Sequence, residues 1–258
     1  MNFDVFSSSV VGYKNLIKSK ISQDYCEYKQ IQNGIICSLA DGHSSDFFEY
    51  SDIGAKLACK SGIYVLENYI KEVNGDINKI KSDLKEGKIQ KDIYYKWIEL
   101  VDKHYKQDIP VVFRTQYHKY ATTLVLVLIY DNFRLYFSIG DSYIILKQNQ
   151  NYTKVLGINN GYLVKSLSSE EAYKDIEYYL EEINDKNKDD YIILFSDGFS
   201  NGFNNYKNMI SDLDETISKY NKSVFSKLLY SKSYKKHLES ISKNKSYDDI
   251  TIMFIKSL

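Results

Sequence analysis

Apolar and polar positions change their spacing several times along the chain, and each change marks an element. Residues 25–32 and 35–40 follow strand-like patterns, and Asn33-Gly34 between them predicts a hairpin because both residues tolerate positive φ. Ser44 or Ser45 is placed to cap a helix in which Phe47, Phe48, Ile53, Leu57, Ala58, Ile63, Leu66 and Ile70 recur at near-helical spacing. Residues 74–108 stay helical but charged, with an apolar stripe of Ile93, Trp97, Leu100 and Val101. A helical hairpin is expected there, with Trp97 in the core. Strands are predicted at 120–130, 135–139, 142–147, 191–195 and 250–255, with a turn at Asp131-Asn132. Residues 175–183 fit either helix or strand, and helices fill 206–243. Blocks of strand separated by blocks of helix predict an α+β fold. No repeat, linker or composition break divides the chain, so one domain over residues 1–258 is expected.

Composition narrows the chemistry. Lys plus Arg and Asp plus Glu balance at 34 each, so net charge points to no nucleic-acid partner. Only two of the basic residues are arginine, Arg114 and Arg134. That matters wherever phosphate is bound, since arginine is the bidentate phosphate ligand. No run is long and apolar enough for a membrane span, and the start lacks the basic and apolar regions of a secretory leader. Cys26, Cys37 and Cys59 form no C-x-x-C pair and read as reduced structural thiols, so the expected location is cytoplasmic.

Several apolar runs meet an aspartate at one end. "IICSLA" precedes Asp41, "YIILFS" precedes Asp197, "LYFSIG" precedes Asp141, and "ITIMFI" follows Asp248-Asp249. Any one of these is an ordinary turn. Several converging on one sheet end would repel one another unless a cation neutralised them. No His pair or Cys/His cluster suits zinc, whereas aspartate oxygens suit magnesium or manganese. Two such ions can lower the pKa of a shared water and so hydrolyse phosphate esters.

These motifs resemble those of the type 2C (PPM) metal-dependent protein phosphatases, bacterial type. "SQDY" at 22–25 is similar to the family's early acidic motif, and "LADGH" at 39–43 to its D-G-H signature. "YATTLVLVLI" and "FSIGDSYIIL" resemble the G-T-T strand and G-D-S turn. "ILFSDGFSN" resembles the S-D-G motif, and "SYDDITIMFI" the closing strand. All five occur in family order. The resemblance implies an αββα sandwich of two antiparallel sheets flanked by helical layers, with a two-metal centre of magnesium or manganese. It implies that Asp41 bridges both ions, Gly42 offers its carbonyl to one, and Asp197 and Asp248 bind the other. Asp24 would sit in or just behind the ligand set, Asp141 would hold a weaker third ion, and His43 would be the general acid. The implied substrate is a phosphorylated protein, and the implied opponent a serine/threonine kinase.

The chain also departs from that pattern. Gln23 stands where animal members carry a second acid, Ala121 replaces the first glycine of G-T-T, Asp249 replaces asparagine, and Asn201 replaces an acid of the third site. Ser44-Ser45 replace the usual continuation after the histidine. The family's phosphate-binding arginine is missing upstream of Asp24, and Lys18 or Lys20 is expected to take its place, Lys20 first for its nearness to Asp24. These departures leave a pseudophosphatase, the same fold used as a binding or regulatory module, as the alternative. Asp212 to Thr216 also fits D-x-D-x-T, the nucleophile loop of another phosphatase class. That loop must follow a buried strand, and 209–211 is too short for one.

Overall fold

The computed structural model describes residues 2–108, 115–156, 164–183, 190–221 and 224–257, apart from the side chains of 224–229 and 257. Arg114 and part of the 149–188 segment lie outside these described residues. In chain order the elements are β1 (Phe3–Val10), α1 (Tyr13–Leu16), β2 (Asp24–Ile31), β3 (Gly34–Asp41), α2 (Ser51–Val73), α3 (Ile77–Lys85) and α4 (Lys88–Asp108). Then come β4 (Leu124–Tyr130), β5 (Phe133–Ile139), β6 (Tyr143–Gln148), β7 (Asn151–Leu156), β8 (Glu177–Glu182) and β9 (Tyr191–Phe195). The chain continues through α5 (Asp197–Ser200), α6 (Tyr206–Tyr220), α7 (Val224–Ile241) and β10 (Ile250–Ser257).

Two five-stranded antiparallel sheets form, in the orders β1-β10-β9-β6-β7 and β2-β3-β4-β5-β8. The period of two along each central strand explains why they stack. On β3, Ile36 and Ala40 pack with α2 and α4, while Ile35, Cys37 and Leu39 face the other sheet. On β4, Leu124, Leu126 and Leu128 face the helices, and Val125, Val127 and Ile129 face inward. Ile252 and Phe254 of β10 meet α6 and α7, while Met253 and Ile255 join the inter-sheet layer. Both faces of these strands are buried, so they read as unbroken apolar runs rather than alternating ones. The result is the αββα sandwich that the motifs implied. Trp97 is fully buried under α2, and its indole N–H donates to the Gly54 carbonyl at 3.1 Å.

The structure corrects two local expectations and decides a third. The left-handed residue of the first hairpin is Asn33, at φ 63°, and Gly34 already belongs to β3. Ser44 and Ser45 do not cap α2, which starts at Ser51. Phe47 and Phe48 lie instead in the loop before it, because the Tyr50 N–H is taken by the Lys119 carbonyl and the Phe48 N–H by that of Ser45. The ambiguous 175–183 segment holds β8, an edge strand hydrogen-bonded to β5 alone, whose open face accounts for its polar pattern. Asp212 to Thr216 lies within α6, and Asp212 pairs with His237 at 2.7 Å, so no nucleophile loop forms there.

One buried ion pair crosses between the sheets. Arg134 of β5 donates to Asp190, just ahead of β9, at 3.0 Å, and Gln148 of β6 donates to the same carboxylate oxygen at 3.2 Å. Among the described residues, no helix is long and apolar enough to cross a membrane.

Candidate active site

The acids of the sequence motifs meet at one end of the sandwich because antiparallel pairing returns each strand to that end. Asp41 closes β3 and lies directly opposite Asp24, which opens β2. Asp141 follows β5, Asp197 follows β9, and Asp248 precedes β10. Asp41, Gly42, His43, Asp141, Asp197 and Asp248 line one pocket of about 270 Å³, together with Ser44, Ser45, Phe48, Thr123 and Val164. Asp24 lies behind the pocket at 8% exposure. Lys20 does not line it; its ammonium is paired with Asp46 at the exposed rim.

The small polar residues of the motifs hold this arrangement. Thr123 N–H donates to the Asp41 carbonyl at 2.8 Å, and the Asp41 N–H donates back to the Thr123 hydroxyl at 3.0 Å. The Thr122 hydroxyl donates to the same Asp41 carbonyl at 3.1 Å. Ser142 of the G-D-S turn is 3.0 Å from the Thr123 hydroxyl, and Gly140 makes that turn at φ 101°. At Gly42 the need is for close approach: a Cβ there would lie 2.6 Å from the Ser51 carbonyl oxygen and 2.8 Å from that of Gln23. Ser196 ties three parts together. Its hydroxyl donates to Asp24 at 2.7 Å and accepts from the Thr251 N–H at 3.1 Å, and its own N–H donates to the Thr251 carbonyl at 3.0 Å.

Crowding of carboxylates sets the electrostatics. Burial, then the charges of Asp24, Asp197, Asp248 and Asp141, hold Asp41 well above the usual carboxylate range. Burial and Asp249 push Asp24 up to about 7, while burial with Asp141 and Asp248 pushes Asp197 up to about 6. Burial raises Asp141 as well. His43 moves the other way: burial lowers its pKa, and the Asp197 charge opposes that only in part. The His43 ring stands edge-on to Phe48 at 5.0 Å, and its buried Nε2 has no hydrogen-bond partner among the described residues.

The donor set consists of hard carboxylate oxygens, with Asp24, Asp41, Asp141 and Asp197 raised in pKa by burial and neighbouring charge, and it includes a buried Asp24 Oδ1 without a partner among the described residues. That chemistry fits magnesium or manganese. Among the described residues, no three His, Cys, Asp or Glu side chains are already arranged to hold an ion. Repulsion between the acids works against such a preformed cluster. On the third-site side, Asn201 donates to Asp197 Oδ2 at 3.1 Å and so occupies that acid with a neutral partner.

A pH effect follows for the protein in EDTA. Carboxylates with raised folded pKa bind protons more tightly when folded. Their contribution is full below the ordinary value of 3.8 and is lost as pH rises through about 6 for Asp197 and about 7 for Asp24. The urea midpoint of the chelated protein is therefore expected to be higher near pH 5 than near pH 8. A higher midpoint near pH 8 would contradict this electrostatic account.

Sequence reasoning missed two roles. Asp249, noted only as an extra acid, accepts from the N–H of Gly12 at 2.5 Å and of Gln23 at 2.7 Å, and from the Asn15 amide at 3.1 and 3.0 Å. It fastens the 12–23 segment to the start of β10 rather than facing the pocket. Lys14, on that segment, reaches Asp248 at 2.6 Å. The signal for the first was the asparagine-to-aspartate departure itself; nothing local announced the second.

Comparisons with known proteins agree with this architecture. No curated protein matches the sequence. Among solved structures, the chain is similar to a serine/threonine phosphatase of S. agalactiae, at 12% identity and TM-score 0.65 over 100% of both chains. It is also similar to PppA, a key regulatory component of T6SS in Pseudomonas aeruginosa, at 13% identity and TM-score 0.64 over 100% of this chain and 99% of that one. A third is the catalytic domain of the serine/threonine protein phosphatase PstP in complex with two manganese ions, at 15% identity and TM-score 0.58 over 98% and 97%. The sequence profile described as Protein phosphatase 2C matches residues 11–239. Fold and profile together define a hydrolase of the protein-serine/threonine phosphatase class. The chain belongs to the protein phosphatase 2C family.

Proposed function

We propose that this protein is a magnesium- or manganese-dependent serine/threonine phosphoprotein phosphatase, formed by one domain over 1–258 and working in the cytoplasm against a serine/threonine kinase. The observation that carries the reading is the convergence of Asp41, Asp141, Asp197 and Asp248 on one pocket with His43. Asp41, the Gly42 carbonyl, Asp197 and Asp248 would hold two ions, with Asp24 behind them and Asp141 available to a weaker third. Bound there, such ions would supply positive charge to a phosphoryl group and would lower the pKa of a water so that hydroxide is available as the nucleophile. The PstP structure with two manganese ions supports that assignment by likeness of fold.

The chain's own residues do the rest. Asp24, held by Ser196, fixes the carboxylate field behind Asp41. Phe48 lies edge-on to the His43 ring, and the His43 N–H bond to the Ala121 carbonyl at 3.0 Å holds its backbone at the pocket wall. From there His43 hands a proton to the departing serine or threonine oxygen. Burial leaves fewer His43 rings carrying that proton at neutral pH, and the Asp197 charge works in the opposite direction, favouring the protonated ring.

The direct test is hydrolysis of a phosphothreonine peptide with Mn²⁺. Activity should vanish in EDTA and return with Mn²⁺. Asp197→Asn should lower it by more than the roughly 10–100-fold that loss of an outer partner costs a metal site. Full turnover in EDTA would refute metal dependence. No turnover by folded, Mn²⁺-bound protein would favour the binding-module reading.

A further inference from the structure

Helices that pack side by side usually meet along an apolar seam. Between α6 and α7 part of that seam is polar. On α6, Asp212, Glu215, Thr216 and Lys219 lie at i, i+3, i+4 and i+7, which is one stripe of a helix. On α7, Tyr230, Ser233, Tyr234 and His237 repeat that spacing. The two stripes line a common cavity of about 200 Å³. Apolar residues of the same helices turn to the sheet instead: Leu213, Ile217, Leu238 and Ile241 cluster with Phe6 and Phe254.

Exposure separates the mouth of the cavity from its floor. Glu215, Lys219, Ser233 and His237 are exposed, while Thr216 and Tyr234 are buried. Tyr234 is 0% exposed and its ring packs on Phe6 at 5.4 Å, yet its hydroxyl has no hydrogen-bond partner among the described residues. Thr216 comes near enough to influence the phenol but makes no hydrogen bond with it. Burial and the Asp212 charge hold the Tyr234 pKa well above its usual value, so Asp212 and not the phenol carries the charge. Asp212 has a matching gap. Its Oδ1 accepts from His237 Nε2 at 2.7 Å, but its buried Oδ2 has no partner among the described residues. Lys219 is committed to Glu215.

These gaps define the chemistry of an occupant. A desolvated carboxylate oxygen calls for an N–H donor that carries positive charge. An anion would be repelled by Asp212, and a neutral donor would leave its charge unmet. The Tyr230 and Tyr234 rings, 5.7 Å apart and 27° from parallel, add aromatic faces that attract a cation. The space exceeds what one bridging water needs, since a water takes about 30 Å³ and an engineered cavity of roughly 150 Å³ already accepts benzene. We propose that the α6–α7 cavity is a binding site for a small organic ammonium ion, which donates to Asp212 Oδ2 and to the Tyr234 hydroxyl oxygen. Its carbon skeleton lies against the Tyr230 ring. None of these residues lines the acidic pocket, so the proposal stands apart from the metal-dependent reading.

Benzylamine is the probe, with benzyl alcohol and benzoate as its neutral and anionic counterparts. Amide shifts in two-dimensional NMR spectra of the full chain report binding, in EDTA and again with Mg²⁺. Benzylamine should shift residues 212–219 and 230–237 saturably, with a Kd of about 1 mM or tighter that Mg²⁺ leaves unchanged. Benzyl alcohol should bind at least about tenfold more weakly, and benzoate not at all. Asp212→Asn should weaken benzylamine at least about tenfold, for the loss of a hydrogen bond to a charged group. Tyr234→Phe should weaken it about threefold to tenfold, yet melt about 2–4 °C higher without ligand, because a buried unpaired hydroxyl is gone. Shifts confined to the acidic pocket, equal affinity for benzyl alcohol, or unchanged affinity in Asp212→Asn would each overturn the proposal. A lower melting temperature for Tyr234→Phe would show the hydroxyl already satisfied by water, and would overturn it as well.

Discussion

Asp41→Asn is expected to remove phosphatase activity by on the order of 10³-fold or more while making the metal-free protein more stable. Both effects come from the same oxygen atoms. Asp41 faces Asp24 across the β2–β3 pair and shares the pocket with Asp141, Asp197 and Asp248. Burial and those charges hold its pKa far above the ordinary carboxylate value, so keeping it ionised at neutral pH opposes folding. Asparagine keeps the shape and leaves the backbone bonds to Thr122 and Thr123 in place, but removes the charge. In EDTA near pH 8 the variant should melt higher than the wild type. A gain of about 1–2 kcal/mol corresponds to roughly 2–8 °C for a domain of this size. Adding Mn²⁺ should raise the wild-type melting temperature and leave that of the variant nearly unmoved, reversing their order. Calorimetric scans with and without Mn²⁺, alongside peptide hydrolysis, give the check. A variant with full turnover, or one that melts below the wild type in EDTA, would refute this role for Asp41.

Arg134→Leu is expected to cost about 3–5 kcal/mol of stability, because it leaves Asp190 buried without its cation. Arg134 is 5% exposed and Asp190 4%, and they join strands of different sheets. Glu181 completes the surroundings, accepting from the Tyr136 hydroxyl at 2.9 Å and from Arg134 at 3.4 Å. Pairing Arg134→Leu with Asp190→Leu should recover much of the loss, since two apolar side chains no longer strand a charge. Urea unfolding of both single variants and the double measures the coupling. Strictly additive losses would show that the pair does not act as a unit. KM should stay near the wild-type value in any variant that remains folded, because Arg134 lies at the other end of β5 from Asp141.

The site was legible in the sequence to the extent that its residues end apolar runs. Asp41, Asp197 and Asp248 announce themselves because a buried strand cannot continue through an acid, and an antiparallel sandwich carries such ends to one place. The fold was legible for the same reason: runs such as 124–130 and 250–255 are apolar on both faces, as a strand between a helix layer and a second sheet must be. The Ser44-Ser45 cap was misread because helix spacing of Phe47 and Phe48 is a local signal. The bond from the Tyr50 N–H to Lys119 that pulls this loop aside is not local. Lys14 was illegible for a stronger reason. Its position depends on Asp249 holding Gly12 and Asn15 from more than 230 residues away. Lys20 looked nearer to Asp24 in sequence, but that nearness places it on Asp46. Scarcity of arginine was visible, yet not that Arg134 was already committed to the inter-sheet pair.

The place of β10 has a consequence for the order in which the site is assembled during folding. β10 is the final strand, and it lies between β1 and β9 rather than at an edge. Until it inserts, β1 has no partner in its sheet, and Ser196 lacks the Thr251 backbone that orients it toward Asp24. Asp248 and the Asp249 pin also arrive only with this strand. The β2–β3–β4–β5 half can therefore pack on its helices before the acids come together. Loosening β10 alone would therefore scatter the acids and dissolve the site while the other half of the sandwich stays folded.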